Sequence, residues 1–324
     1  MMTRALRANA FGLLPLLCAL YLLLYLDRVN IATAAPLIQS ELHLRNAALG
    51  VVLSAFAYSY AFCQLIGGFV GERFGPRRTL LASVLVVCVA TAATGLASGL
   101  PALIAARMIL GFGEGAALPT ATEAMAKHLP QTQWGFAQGI THSFARLGNF
   151  ATPPIVAALI ALSSWRVSFF VFALAGLIWV AAWIAWFGET TPHEKRAVSP
   201  PALRRWLSIA RQTAPATAVN FCYGWTLWLF LTWIPSFFVQ NYHLSLSGSV
   251  FYSAGVFLGG LAGDALGGVA SDRILRATGN LAFARRSVIV TGFLGGCACL
   301  LAVMFATDVA AAAILLSLSF FLPN

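Results

Sequence analysis

Long apolar stretches separated by short polar breaks run the length of this chain. Apolar runs occur at about 11–36, 47–71, 79–98, 102–126, 135–162, 167–187, 214–240, 249–270 and 287–306. Each is close to or above the roughly 20 residues that a helix needs to cross about 30 Å of hydrocarbon. A tenth run begins near Val309 and meets Leu322-Pro323-Asn324, so its helix would extend only about 21 Å. The short breaks at Ser98–Pro101 and Ser163–Arg166 force antiparallel neighbours. The alternating polar and apolar positions of a membrane barrel are missing from these runs.

Composition sharpens the class. Hydrophobic residues form 60% of the chain and charged residues 9%. A soluble domain has no use for so much apolar surface, so the expectation is an all-α, polytopic membrane protein. Met1–Asn9 is short and basic but leads to no small-residue cleavage site, so the first apolar stretch is expected to remain as a helix.

The net charge of +10 would suit nucleic acid, but its distribution points elsewhere. Arg4, Arg7, Arg73, Arg77, Arg78, Lys127, Lys195, Arg196, Arg204, Arg205, Arg211, Arg273, Arg276, Arg285 and Arg286 fall in alternate loops of one side. The opposite side holds Arg45 and Arg166. This positive-inside asymmetry predicts a cytoplasmic N-terminus and a multi-pass protein of the inner, cytoplasmic membrane, with the bilayer and not nucleic acid as its surroundings.

Cys18, Cys63, Cys88, Cys222, Cys297 and Cys299 all lie in apolar runs, and Cys297-x-Cys299 lacks the rest of a metal spacing. They read as packing residues; no metal or other cofactor is expected. Residues 189–213 form the one long polar interruption and read as a cytoplasmic linker. It contains Pro200-Pro201 and ends in Arg204-Arg205-Trp206-Leu207, a short basic helix suited to an anionic leaflet.

A repeat organises the rest. Gly68-Phe-Val-Gly-Glu72-Arg73-Phe-Gly75-Pro-Arg77-Arg78 closes the second run, and Gly268-Val-Ala-Ser-Asp272-Arg273 closes the eighth. Both place an acid four positions after a glycine and follow it with arginine. Six helices separate them, which implies parallel six-helix halves. These residues resemble the G-x-x-x-D-R-x-G-R-R signature of the major facilitator superfamily and its weaker second copy. Glu72 replaces the aspartate, and Pro76 shifts the arginine pair.

Within that superfamily, three further segments resemble the anion:cation symporters, a family that includes sugar-acid and aromatic-acid permeases. They are Asp27-Arg28-Val29-Asn30 with Pro36; Arg107 with Gly111, Glu114 and Pro119; and Leu231-Thr-Trp-Ile-Pro235. The resemblance implies a 6+6 helix architecture: an N-terminal bundle over 1–188, the linker over 189–213 and a C-terminal bundle over 214–324. It also implies twelve helices, of which about nine and a half are present. A fragment, or the product of a truncated or frameshifted gene, is therefore expected.

Charges inside the apolar runs carry the candidate chemistry, because ionisable groups there are costly and usually line a pathway. Asp27 lies about 24 Å along its helix from Phe11. Arg107 and Glu114 share a helix face about 10 Å apart along the axis, which lets two carboxylates and two guanidiniums converge. Arginine stays charged when desolvated and offers a donor fork to a carboxylate, so Arg28 and Arg107 are candidate anion-binding groups. Asp27 and Glu114, titratable against nearby arginine, are the proton-coupling candidates. Acids at these two positions have that role in similar symporters.

His142, Arg146 and Asn149 form a polar stripe on the fifth helix. Arg146 reads either as a second carboxylate fork, favouring a strongly acidic or dicarboxylate cargo, or as a partner for Glu114. Asn220 and Tyr223 could line the cavity from the seventh helix, although interfacial anchoring accounts for many aromatics there. Gly68, Glu72, Arg73, Gly75, Arg77, Arg78, Asp272 and Arg273 are expected to lock the cytoplasmic side in the outward-open state. Gly255, Gly259, Gly263 and Gly267 form a small-residue ladder for close helix packing.

The expectation is a monomeric secondary transporter that moves a small organic anion (sugar acid, dicarboxylate or aromatic acid) with a proton by alternating access. The alternative is a non-transporting remnant or sensor-like membrane protein. An enzyme is disfavoured, because neither a nucleophile motif nor His-Glu-x-x-His is present.

Overall fold

The computed structural model describes residues 4–130, 133–187 and 203–322. Among them are ten helices: α1 (Arg4–Glu41), α2 (Asn46–Phe74), α3 (Pro76–Leu96), α4 (Leu100–His128), α5 (Trp134–Leu162), α6 (Trp165–Trp186), α7 (Leu203–Tyr242), α8 (Leu246–Thr278), α9 (Leu281–Val303) and α10 (Val309–Phe321). Nine are long and apolar enough to cross a membrane, and α10 is shorter. Side-chain caps start the later helices where the sequence offers an oxygen. Ser245, Asn280 and Asp308 accept from the backbone N–H of Gly248, Phe283 and Ala311.

The α2–α3 corner is sharp for a local reason. Gly75 has φ 83°, donates its N–H to Gly71 O at 2.8 Å, and precedes Pro76 at the first turn of α3. Positive φ is cheap only for glycine, and proline at the first turn sacrifices no intrahelical hydrogen bond.

Residues 189–202 of the expected linker lie outside the described residues. The remainder corrects the expectation: Leu203–Tyr242 is one helix of 40 residues, so 203–213 is the beginning of α7 and not a separate helix. Arg204–Thr213 contains no glycine or proline to end it, and the helix continues through Pro215 and Pro235.

In lipid, apolar side chains gain little by leaving one hydrocarbon surface for another, so close backbone approach determines the packing. α2 lies against α4, α1 against α5, and α3 against both α4 and α6. A Cβ on Gly67 would sit 2.6 Å from Ala116 Cα, and one on Gly115 would sit 2.7 Å from Tyr60 O. On α8, a Cβ on Gly259 would lie 2.7 Å from Ser317 O, and one on Gly263 would strike Phe321 O. The ladder thus seats α10 through Gly259 and Gly263, whereas Gly255 meets no neighbour.

The most extensive contacts between α1–α6 and α7–α10 are those of α5 with α8 and α1 with α7. Where the end of α1 and the start of α2 approach the end of α7, three amides join. Gln39 Nε2 donates to Asn46 Oδ1 at 2.8 Å, and Asn46 Nδ2 donates to Gln240 Oε1 at 3.1 Å. Trp233 closes on Gly50 beside them. At the other end of α7, the described side chains of residues 208–222 are exposed.

Candidate functional site: a buried ion pair between α1 and α4

Consecutive residues on a helix point about 100° apart, so Asp27 and Arg28 serve different neighbours. Arg28 turns towards α4, where its Nε donates to Glu114 Oε2 at 2.7 Å; both side chains are sealed from solvent. Four aromatic rings surround the guanidinium. Its Cζ lies 4.6 Å from the Tyr25 ring centroid, 4.7 Å from Tyr60, 5.8 Å from Phe56 and 5.6 Å from Trp228. Trp228 comes from α7 and packs on Phe56 and Tyr60, so the enclosure draws on both parts of the molecule. Cation–π attraction to desolvated rings helps offset the cost of keeping Arg28 dry. Arg28 Nη2 and Glu114 Oε1 are buried without a hydrogen-bond partner.

Asp27 turns towards α3, where Thr91 Oγ1 donates to its Oδ2 at 3.0 Å. One turn further along α3, Thr94 Oγ1 accepts from Arg107 Nη2 at 3.3 Å. Arg107 is fully buried, with its guanidinium 5.8 Å from the Phe169 ring centroid. The expected convergence of two acids and two arginines therefore resolves into two layers. Arg28 and Glu114 meet directly, while Asp27 and Arg107 are each held by a threonine of α3. Asp27 remains within electrostatic reach of both Glu114 and Arg107. Asn30 extends the back layer by accepting from Ser168 Oγ at 2.7 Å.

Arg146 donates to the Tyr223 hydroxyl, joining α5 to α7. The suggestion that Arg146 neutralises Glu114 is corrected, since Arg28 takes that carboxylate. Asn220, one turn from Tyr223, is exposed. His142 lies edge-on to Tyr21, with ring centroids 5.4 Å apart. Asn149 is buried, and neither of its amide atoms is hydrogen bonded.

At the α2–α3 corner, Glu72, Arg73 and Arg78 are exposed, and Arg73 lies 5.7 Å from the Phe74 ring. The backbone oxygen of Arg77 accepts from Trp183 Nε1 at 3.1 Å, which ties the corner to α6. A Cβ on Gly68 would meet open space. Arg273 is exposed, and the side chain of Asp272 lies outside the described residues.

Sequence reasoning missed Tyr60, Phe56, Thr91 and Thr94, and it gave Trp228 no role of its own at the site. Aromatics and threonines are ordinary in apolar helices, so single residues carry no signal. The Thr91/Thr94 spacing, i and i+3 on one face of α3, was the available hint.

A helical bundle of apolar, membrane-length helices with charges buried where two groups of helices meet defines a polytopic membrane protein. The chain belongs to the Major Facilitator Superfamily, which it matches over residues 17–323.

Among curated relatives, a probable sulfoacetate transporter of Cupriavidus necator is 41% identical over 95% of this chain and 76% of its own length. A hexuronate transporter of Bacillus subtilis is 32% identical, over 86% of this chain and 69% of its own. A D-galactonate transporter of Escherichia coli is 29% identical, over 92% and 75%. Among solved structures, an inward-facing bacterial homologue of the human lysosomal transporter Spinster superposes with a TM-score of 0.74 at 16% identity, covering 98% of this chain and 73% of that one. A D-xylose–proton symporter gives 0.69 at 16% identity, covering 97% and 79%.

Proposed function

We propose that this protein carries a small organic anion across the cytoplasmic membrane together with a proton, its N-terminus in the cytoplasm. The observation that carries the reading is the sealed Arg28–Glu114 pair, with Nη2 of Arg28 left over and an aromatic wall drawn from both groups of helices. A guanidinium at that depth is a fork for a carboxylate or sulfonate. The relatives named for sulfoacetate, hexuronate and D-galactonate all take acidic cargo, which supports the same class here.

The ion pair links the two ligands. Glu114 and an incoming anion compete for Arg28; when the carboxylate takes a proton, the guanidinium is released to the anion. The anion then holds Arg28 while Glu114 keeps its proton, so the two travel together. Asp27 is a second proton carrier, held by Thr91 beside Arg107. Arg146 with Tyr223, and Asn220 beside them, supply the second anchoring region, which favours cargo with two acidic or polar ends.

The joined amides of Gln39, Asn46 and Gln240 would close the outer end of the pathway in one state of the cycle. Gly68, Glu72, Arg73, Gly75, Arg77, Arg78, Asp272 and Arg273 act in the opposite state, closing the inner side. The test is uptake of sulfoacetate, a hexuronate and galactonate into proteoliposomes. An inward proton gradient should accelerate one of them, and Arg28→Ala and Glu114→Gln should each abolish that stimulation. Accumulation indifferent to an imposed pH gradient would refute the coupling.

A further inference from the structure

A cleft between α2, α3 and α4 lies apart from the ion-pair site. α2 and α3 both lean along α4 but hardly touch each other. The wedge left between them has a volume of about 400 Å³, within the roughly 300–1,000 Å³ of small-molecule sites. Val70 and Phe74 form one wall, Ala82 and Val86 the other, and Phe112 and Gly113 the floor. A Cβ on Gly113 would lie 3.0 Å from Ser83 O and Val87 Cγ2, so glycine lets α3 and α4 close at the base. Phe74, Val86 and Phe112 stay partly exposed, which opens the wedge to the bilayer. Phe112 and Glu114, two positions apart, point to nearly opposite sides of α4, so the cleft faces away from Arg28.

The walls are apolar, but the rim is not. Arg78, in the first turn of α3, lines the end of the wedge nearest the membrane interface. Arg77 and Arg73 flank it; the acids at the same corner are Glu72 and, reaching Gly71 from α4, Glu123, which is paired with Lys127, so the rim keeps a net positive charge. From Arg78 to Val86 the slot runs about 12 Å into the hydrocarbon depth. A cationic rim above an apolar slot open sideways to lipid is complementary to a phosphate joined to an acyl chain. Basic pockets between transmembrane helices recognise anionic headgroups in this way.

We propose that this cleft holds one anionic phospholipid, its acyl chain in the slot and its phosphate at Arg78. A lipid seated there fills the gap that α2 and α3 leave and braces the Gly75 corner. None of the cleft residues is a member of the Arg28–Glu114 pair, so lipid retention is read separately from anion binding, although Arg78 also belongs to the proposed inner-side closure.

Native mass spectrometry of the detergent-purified protein, titrated with phosphatidylglycerol, phosphatidylcholine or oleate, tests the proposal. The wild type should retain phosphatidylglycerol at least fivefold more than phosphatidylcholine. Arg78→Gln, an exposed change that leaves the slot intact, should bring the two lipids to the same level. Ala82→Trp should fill the slot and remove both adducts, and Arg28→Ala should leave them unchanged. Equal retention of the two lipids by wild type, unchanged selectivity in Arg78→Gln, or retention of oleate in preference to phosphatidylglycerol would each overturn it.

Discussion

Arg28 Nε donates to Glu114 Oε2 at 2.7 Å, across 86 positions of sequence and out of reach of water. Removing one member of a buried pair strands the other charge, which typically costs about 3–5 kcal/mol. Arg28→Met and Glu114→Leu should each lower the unfolding midpoint in detergent markedly, whereas the double substitution should recover much of the loss. A double variant as unstable as the summed singles would show that the pair is not the reason for the cost.

The aromatic enclosure suits a planar guanidinium better than a compact ammonium. Arg28→Lys should therefore keep the charge yet lose the fork, reducing uptake of the cognate anion by tenfold or more. Initial rates in proteoliposomes measure this, and near-normal rates would mean that charge alone suffices.

Gly111 permits the closest approach of α4 to α2. A Cβ there would strike Ser59 Oγ and crowd Phe56 O, 2.6 Å away, and Tyr60 N, 2.8 Å away. Overpacking of this kind costs about 1–3 kcal/mol. Gly111→Ala should lower the thermal midpoint, while Gly68→Ala, which faces open space, should leave it within experimental error.

The Gln39–Asn46–Gln240 amides hold the neighbouring ends of α1, α2 and α7 together without charge. Gln240→Ala should loosen that junction. In a background without native cysteines, Gly50→Cys beside Trp233 should then react several-fold faster with a membrane-impermeant maleimide. An unchanged rate would place the closure elsewhere.

Much of this molecule was legible in the chain because lipid imposes a strong one-dimensional rule. Every backbone polar group must be satisfied within its own segment, so long apolar runs become helices. Nine runs did so, and the glycine ladder seated a neighbouring helix through Gly259 and Gly263. Family membership was likewise readable from the Gly68–Arg78 corner, whose glycine and proline are demanded by local backbone geometry.

The sequence by itself determined which helices exist and that Asp27, Arg28, Arg107, Glu114 and Arg146 lie within apolar runs. Which charge meets which was decided only by tertiary structure. A 100° step separates Asp27 from Arg28, and the contact of each depends on the helix that packs on its side. That packing sends Arg28 to Glu114, Asp27 to Thr91, Arg107 to Thr94 and Arg146 to Tyr223. Segment composition carries no record of neighbours brought together from distant parts of the chain, so the aromatic walls of Tyr60 and Trp228 emerged only from the fold.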